Sequence, residues 1–380
     1  MKKIYWHTHN LPRIYILTLC LFTIVGMVIV EHFKQFVPVE YYHLKIDSAH
    51  TARDAFKAAK ALREQKNIPI NEKNDPQKSG LIGDRFTDIT SDSGDLITKQ
   101  TTVNPNIVAI FINWLEQLNL KAGDTVAVGA TGSFPALDIS MLAAIKAMKL
   151  NPLIIYSGAA SQFGANIPKF TILDIQHDLH TRKILNYTPI AASIGGGEDR
   201  GTNITEKGRT ILQKTIEDYG YPLIEPTGTT DSINQRITLY NEASQDQPIK
   251  AYINIGGGMA SIGLKQLNEK TIKETARPPS LPTGVLTSMP IIYANTDSVA
   301  VRFLKKGIPV VNVHNIGKKL RDQYKLPVNA QYSPIGWGPL FFHETYNKFL
   351  TAVILGIIII VIVTMAIVSR KYRIRYIPPR

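Results

Sequence analysis

The chain has 380 residues, with 43 Lys and Arg against 30 Asp and Glu, a formal net charge of +13. Its 44% hydrophobic content and non-repetitive sequence exclude a disordered or collagen-like protein, and its length allows one large domain or two ordinary ones. Eight of the net positive charges lie in the acid-free ends 1–30 and 369–380. Because the remaining chain is close to neutral, we predict no nucleic-acid partner.

Two uncharged apolar stretches lie near the ends of the chain, at 14–30 and 349–368. A membrane-spanning helix needs about 20 mainly apolar residues, and about 17 is near the lower limit. A cleaved signal peptide is the alternative for the first stretch, but no small-residue cleavage pattern follows it, so we expect an uncleaved anchor.

The basic residues beside both stretches predict that the tails 1–13 and 369–380 are cytoplasmic. The expected location is therefore the cell (inner or plasma) membrane, with the bilayer as a partner and a large extracytoplasmic body between the two spans. Cys20, the only cysteine, lies in the first span, so that body has no disulfide. A body of about 315 residues can bury a core without one.

The first part of this body, 31–106, is expected to hold a juxtamembrane helix and an irregular linker. Residues 47–67 are rich in Ala, Lys and Arg and predict a helix with Asp47 or Ser48 as its N-cap. Many Pro, Gly, Asp and Ser residues in 68–103 indicate a linker or a long functional loop. A second helix is predicted to begin near Asn104 and Pro105, where one apolar stripe starts.

The second part, 107–345, is predicted to be an α/β domain because strands and helices alternate along it. Three times an apolar strand runs through a glycine-rich loop into a helix: 124–128 with 129–135, 189–194 with 195–201, and 249–255 with 256–258. A helix is expected after each loop. The first has Leu137, Met141, Ile145 and Met148 on one face, the second covers 203–219, and the third continues through Leu267. Further strands are predicted at 152–156, 170–173 and 308–313, and further helices at 231–244 and 297–306. This order predicts a mostly parallel, helix-covered sheet.

The glycine-rich loops predict a ligand site at the carboxyl edge of that sheet, where open parallel sheets bind their ligands. The alternative is that they are ordinary strand-to-helix turns. The P-loop and the dinucleotide-binding fingerprint are both absent, so the loops indicate no particular cofactor. The candidate ligand-binding residues are Gly129, Thr131, Gly132, Gly195, Gly196, Gly197, Arg200, Gly256, Gly257, Gly258 and Ser261.

The candidate catalytic residues are Ser133, Glu198 and Asp199. Ser133 is a possible nucleophile, but no G-x-S-x-G elbow surrounds it, and a helix N-cap explains it better. The Glu198 and Asp199 carboxylates are candidate general bases, with Arg200 clamping a substrate carboxylate, although a solvated turn is the favoured interpretation.

Four potential metal ligands, Asp174, His177, Asp178 and His180, fall within seven residues. Their spacing matches no strong zinc signature, so we interpret them as surface polar residues and predict no metal site.

Three segments, 126–138, 193–200 and 252–263, together with the anchor at each end, resemble the bacterial poly-gamma-glutamate system protein family. Such proteins accompany the membrane-bound poly-gamma-glutamate synthase. The resemblance covers nearly the whole chain and implies a role in making, exporting or anchoring an anionic, capsule-like polymer. It also implies the synthase subunits and the polymer as partners, and it supplies no catalytic residues.

The sequence thus leads to a membrane-anchored accessory component of poly-gamma-glutamate assembly. The alternative is an extracytoplasmic hydrolase or transferase that acts on a glutamyl polymer or cell-wall substrate through the glycine-rich loops. A solute-binding module held at the membrane is a third hypothesis.

Overall fold

The computed structural model describes residues 13–263, 281–293, 296–328 and 334–373. The chain divides into two compact units: a central unit, 40–341, and an end unit made of 1–39 and 342–380. Residues 1–12 and 374–380 of the predicted tails, and 264–267 of one predicted helix, lie outside the described residues.

The α-helices of the described residues vary from one turn to seven. In chain order they are α1 (Arg13–His32), α2 (Tyr42–Gln65), α3 (Leu96–Thr102), α4 (Val108–Glu116), α5 (Pro135–Ala147), α6 (Ile172–Thr181), α7 (Glu206–Asp218), α8 (Thr229–Ala243), α9 (Met259–Ile262), α10 (Val299–Lys305), α11 (Gly317–Asp322) and α12 (Lys348–Arg373). Short 3₁₀ turns occur at Pro105–Ile107, Gly197–Asp199 and Ile291–Tyr293.

The strands are short. They are β1 (Gln35–Pro38), β2 (Thr90–Asp92), β3 (Thr125–Thr131), β4 (Asn151–Ser157), β5 (Ala160–Ser161), β6 (Asn166–Ile167), β7 (Phe170–Thr171), β8 (Ala191–Ser193), β9 (Leu223–Ile224), β10 (Ile249–Ile255), β11 (Gly284–Leu286), β12 (Val310–Val313) and β13 (Phe342–Thr345).

The end unit contains two helices, α1 and α12, that are long and apolar enough to cross a membrane by length and composition. The strands next to them, β1 and β13, pair antiparallel. The helices touch at Gly26, where an added Cβ would come within 2.7 Å of Ile354 Cγ2. Two candidate membrane-spanning helices are thus present where the sequence predicts them.

The central unit is built on a seven-stranded sheet with the order β11-β12-β10-β3-β4-β8-β9. All neighbouring pairs are parallel except β11 and β12. The prediction of a mostly parallel sheet is therefore confirmed. β3 is buried along its whole length, as expected for a central strand covered on both faces.

Helices cover both faces of the sheet. On one face α2, α4 and α5 pack together, and α5 is buried on nearly all sides. On the other face α8 and α10 contribute Ile233, Tyr240 and Phe303 to an apolar cluster with strand residues such as Ala127 and Tyr252. The rings of Tyr252 and Phe303 stack at 5.1 Å.

The direction of winding reverses beside β3. From β3 the chain proceeds through β4, β8 and β9 toward one edge, and it then returns to β10 on the other side of β3 before reaching β12. Loops that leave β3 and β10 therefore diverge to opposite sides and leave a crevice at the carboxyl ends of these strands.

Most predicted elements are present, with shifted ends. The strand predicted at 170–173 is wrong: only β7 is extended, and α6 begins at Ile172 because Thr171 and Asp174 form a capping box. The N-cap of α2 is Tyr41, so the helix begins before Asp47 and Ser48. Segment 68–103 lies in the same compact unit as the sheet and contains β2 and α3, and β2 pairs with β5.

Gly256, which directly follows β10, is required by both conformation and space. Its φ is +101°, and an added Cβ would lie 2.1 Å from Thr131 Oγ1. We expect Gly256→Ala to lower the free energy of unfolding by about 1–3 kcal/mol more than Gly123→Ala does. Gly123 is the matched control because it has a φ of +90° and nothing within 4 Å of the added Cβ.

Chemical denaturation of the detergent-solubilised full chain, followed by tryptophan fluorescence, measures both losses. Thr131→Ala in the Gly256→Ala background should restore part of the stability, because it removes the hydroxyl that the Cβ meets. Equal losses for the two glycine variants would contradict a steric role for this close approach.

Candidate functional site

A cavity of about 650 Å³ opens at the carboxyl edge of the sheet, at the reversal of winding. Six of the predicted site residues line it, contributed by all three glycine-rich loops: Thr131, Ser133, Gly196, Asp199, Gly257 and Gly258. The three loops therefore converge, as the sequence predicts. Gly129, Gly132, Gly195, Gly197, Glu198, Arg200, Gly256 and Ser261 do not line the cavity.

The segment 91–99 forms a further wall of the cavity. It belongs to the stretch 68–103, for which the sequence predicts a linker or a long functional loop. Asp92, Asp95 and Lys99 all line the cavity. Pairing of β2 with β5 holds this segment over the sheet edge. The Asp95 carboxylate caps α3 by accepting from the Thr98 N–H at 3.0 Å. The segment is therefore packed at the sheet edge and lines the cavity, and its functional role stays a prediction.

The first glycine-rich loop presents Thr131 and Ser133 to the cavity. Ser133 is not the N-cap of α5, because that position is Phe134, which has no side-chain capping bond. Instead the Ser133 hydroxyl accepts a hydrogen bond from the Ser161 N–H at 3.1 Å. Ser133 thus connects the loop after β3 to the extended segment after β4.

Gly129 and Ser261 have a packing role below the cavity. A Cβ at Gly129 would lie 2.2 Å from Tyr252 Oη and 3.1 Å from Ser261 Oγ. Ser261 is itself buried. The glycine is therefore required because two hydroxyls from β10 and α9 lie against β3 at this point.

In the third loop, Gly257 lies against His314, which follows β12. A Cβ at Gly257 would lie 3.1 Å from His314 Cε1. Burial lowers the pKa of His314, and the opposing effect of Asp92 is smaller. The imidazole is therefore held toward its neutral form in the cavity wall.

The second loop has the most unusual backbone of the three. Glu198 and Asp199, two consecutive non-glycine residues, have φ values of +54° and +61°. This conformation directs the two carboxylates to different places. Glu198 lies 3.7 Å from Arg200, and Arg200 donates to the Thr227 carbonyl oxygen at 2.9 Å. Neither Glu198 nor Arg200 lines the cavity, so the predicted substrate clamp stays a prediction that this cavity does not support.

Asp199 is buried and forms an ion pair with Arg236 of α8. Arg236 Nη2 donates to Asp199 Oδ2 at 2.8 Å, and both side chains are almost inaccessible to solvent. The same Arg236 nitrogen donates to Ser157 Oγ at 2.9 Å and to Ser193 Oγ at 2.8 Å. The Ser193 hydroxyl donates to the other carboxylate oxygen, at 2.7 Å.

This arrangement is typical of a structural network that ties the ends of β4 and β8 to α8. Both oxygens of Asp199 already accept hydrogen bonds, and a guanidinium stabilises its charge. Asp199 is therefore poorly suited to be the general base that the sequence suggested, and it supports the cavity wall instead.

Among the cavity residues, Lys99 has the largest pKa shift, and its position in the sequence does not indicate this. Its ammonium is buried, and it donates to the Ser133 carbonyl oxygen and to Ser161 Oγ, the latter at 2.7 Å. It also lies 3.8 Å from the centre of the Phe134 ring. Burial lowers the pKa of Lys99 to about 7, against the smaller effects of Asp138, Asp95 and Asp92.

Asp138, in the first turn of α5, faces this lysine without neutralising it through a direct contact. Neither of its carboxyl oxygens has a hydrogen-bond partner among the described residues. Burial raises the pKa of Asp138 well above its usual value, and the effect of Lys99 only partly opposes this. The carboxyl group is therefore held toward its neutral form.

Three of the four candidate metal ligands on α6 are engaged elsewhere, and the buried Nδ1 of the fourth, His180, has no hydrogen-bond partner among the described residues. Asp174 caps the helix, accepts from Lys66 Nζ at 2.6 Å and accepts from Tyr219 Oη at 2.8 Å. His177 stacks on Tyr219, and Asp178 pairs with Arg182. Within the described residues no group of three or more potential ligands is placed to hold a metal ion.

Sequence reasoning missed the cavity residues Lys99, Ser157, Ser161 and His314. Lys99 lies among polar residues in a segment that looks irregular, and only its burial makes it unusual. Ser157 ends β4 and Ser161 follows it, and no glycine-rich loop as clear as the other three comes after this strand in the sequence. The one available signal was that every parallel strand ends at this edge, which applies equally to β4 and β12.

Comparison of the chain with family models, curated proteins and solved structures finds no match.

Removing the Asp199 charge should strongly destabilise the central unit, because Arg236 would remain buried without its counter-ion. We expect Asp199→Asn to lower the free energy of unfolding by about 3–5 kcal/mol. Asp297→Asn is the matched control, because Asp297 pairs with Arg302 in a partly exposed position. Its loss should stay below about 1 kcal/mol. Urea denaturation of both variants measures the difference, and similar losses would refute a structural role for the Asp199 pair.

The lowered pKa of Lys99 predicts a pH-dependent contribution to stability. Between about pH 7 and the pKa of the unfolded chain, near 10.5, the unfolded chain binds one more proton at this site than the folded chain. Stability from Lys99 therefore rises with pH over that window, by at most about 1.4 kcal/mol per pH unit. Lys99→Met should remove this rise relative to the unsubstituted chain.

Lys45→Met is the matched control, since Lys45 is also buried and its pKa is lowered only to about 8. The difference in stability between Lys45→Met and the unsubstituted chain should begin to change with pH about one pH unit higher than for Lys99→Met. Denaturation curves recorded from pH 6 to 10 test this order of onset, and a Lys99→Met curve parallel to that of the unsubstituted chain would rule the shift out.

Proposed function

We propose that this protein is a membrane-anchored accessory component of poly-gamma-glutamate synthesis, export or anchoring, and that its sheet-edge cavity binds a glutamyl segment. One observation carries the proposal. The three segments that resemble the family, 126–138, 193–200 and 252–263, each contribute residues to the same cavity. Segments far apart in the chain thus share one site, as expected for a common binding site.

The apolar helices α1 and α12 support the membrane part of the proposal. In the proposed topology both termini are cytoplasmic, because the basic residues cluster in the tails. The central unit is then extracytoplasmic, on the side to which an exported polymer passes. This placement also suits a central unit in which the described residues contain no cysteine.

The chemistry of the cavity suits a chain of carboxylates and amides. Lys318 supplies a cationic group, and the Lys99 amine and the hydroxyls of Thr131, Ser133 and Ser157 line the same space. Asp92 and Asp95, which line the same cavity, would accept hydrogen bonds from amide or amine N–H groups. A glutamyl unit carries both kinds of group, an anionic side and an amide N–H.

The second candidate function is an extracytoplasmic hydrolase or transferase acting on a glutamyl polymer or cell-wall substrate. It is favoured by the number of hydroxyl groups around the cavity. Of the three residues suggested from sequence, Ser133 lines the cavity, Glu198 lies outside it, and Asp199 is paired with Arg236. This function therefore needs a different general base from either carboxylate.

A deletion strain tests the accessory role. The tagged chain purified from native membranes should carry the synthase subunits with it, and the deletion should lower polymer yield. Lys318→Glu should fail to restore the yield while still co-purifying with the synthase, because it places a negative charge in the cavity that is to bind a polyanion.

Lys214→Glu is the matched control for this charge reversal, because Lys214 is exposed on α7 and does not line the cavity. It should restore polymer to the level of the unsubstituted chain. Normal polymer in the deletion strain, together with no co-purification, would refute the accessory role. Full restoration by Lys318→Glu would refute glutamyl binding in this cavity.

A further inference from the structure

We propose that Ser161 and Lys99 form a nucleophile–base pair that transfers acyl groups in the cavity. Lys99 Nζ lies 2.7 Å from Ser161 Oγ, and both residues are buried and line the cavity. A nucleophile within hydrogen-bond reach of a buried base is the arrangement that activates a serine hydroxyl. Serine–lysine pairs are one of the recurring forms of such a site.

The surroundings of the amine fit a neutral lysine. A neutral amine has two N–H groups and one lone pair. The Ser133 carbonyl oxygen and the face of the Phe134 ring occupy two directions around Nζ, and Ser161 Oγ occupies a third. With the two N–H groups directed at the carbonyl and the ring, the lone pair is left to accept the Ser161 proton.

The electrostatic setting favours the same state. Desolvation is the largest effect on the pKa of Lys99, which falls to about 7, so a large fraction of the amine is deprotonated near neutral pH. The acidic groups that act on it are Asp92, Asp95 and Asp138, and each of them works against this shift. A base with a pKa close to the working pH is the most effective in proton transfer.

Ser161 is distinguished from the other hydroxyls of the cavity by its base. Ser157 Oγ accepts from Arg236, which cannot remove a proton, and its carboxylate neighbour is already paired with that arginine. Ser133 Oγ accepts from the Ser161 N–H, and Thr131 Oγ1 accepts from the Ser133 N–H. Among the described hydroxyls that line the cavity, only that of Ser161 contacts a lysine amine.

The first step forms a bond between Ser161 Oγ and the acyl carbon of an ester or amide. Lys99 accepts the Ser161 proton, the bond from the acyl carbon to the leaving oxygen or nitrogen breaks, and Lys99 passes that proton to the leaving group. In the second step water or an amine loses a proton to Lys99 and forms a bond to the acyl carbon. The Ser161 ester bond then breaks, and Lys99 returns the proton to Ser161 Oγ.

The overall reaction is hydrolysis with water and acyl transfer with an amine, without oxidation or reduction. A glutamyl amide as the natural acyl donor rests on the proposed function. Acylation of Ser161 by a simple ester does not, so the two can fail independently.

The test is the reaction of the detergent-solubilised full chain with p-nitrophenyl acetate. We expect a burst of p-nitrophenolate and one acetyl group on Ser161, located by peptide mass mapping. The burst rate should rise with pH and level off above about pH 7, following the fraction of neutral Lys99. Ser161→Ala should abolish the burst, and Lys99→Arg should lower its rate by about 100-fold or more, because a guanidinium remains protonated.

Two control variants separate chemistry from folding. Ser244→Ala removes a hydroxyl beyond α8 that only bonds the Asn241 carbonyl oxygen, and Lys45→Met removes another buried lysine outside the cavity. Both should keep the burst and its pH profile. Circular dichroism and the melting temperature of each variant show whether it is folded.

Four results would overturn the proposal: no acetylation of the folded chain, acetyl on Lys99 Nζ instead of Ser161, a burst retained by folded Ser161→Ala, or a burst retained by folded Lys99→Arg. Should Ser161→Ala fail to fold, two other measurements decide. Acetyl mapped to any residue other than Ser161 of the unsubstituted chain refutes the pair. A burst by Ser161→Cys that is retained, with its pH profile shifted, supports it.

Discussion

The reversal of winding between β3 and β10 is the constraint on which the rest of the central unit depends. Two parallel strands that lie side by side but send their helices to opposite faces leave a gap at their carboxyl ends. Gly256 and Gly129 allow the two strands to approach closely, because Thr131 and Tyr252 fill the space that a side chain would need. The cavity, its hydroxyls and its one buried lysine all lie at this gap.

Two kinds of buried charge stand at the cavity, and they have opposite consequences. Asp199 and Arg236 compensate each other and anchor Ser157 and Ser193, so their burial produces rigidity. Lys99 has no such compensation, since Asp138 is itself held toward its neutral form. Burial without compensation costs stability and shifts the pKa, which is the combination that functional sites repeatedly show.

The end unit and the central unit each contribute a different feature to the proposed function. The end unit supplies two apolar helices whose adjacent strands pair, so that both ends of the chain can be held in one membrane. The central unit supplies a cavity lined by both lysines and carboxylates. The proposed function would use both features: the helices for a position at the membrane, and the cavity for the anionic and amide groups of a glutamyl chain.

The sequence by itself determined the α/β class, most of the strands and helices, and the position of three glycine-rich loops at the ends of strands. Hydrophobic periodicity and glycine position are local signals, and β10 or α8 could be read from them almost to the residue. It could not show that Ser133 bonds the Ser161 backbone rather than capping α5, or that Glu198 and Asp199 diverge, since both depend on contacts between distant segments and on positive φ values.

Only the tertiary structure decided which polar residues matter. Lys99 is one lysine among many in the sequence, and it becomes unusual because β2 pairs with β5 and carries α3 over the sheet edge, where water is excluded from the amine. Desolvation depends on everything that surrounds a group in space, and no pattern of neighbours along the chain records it.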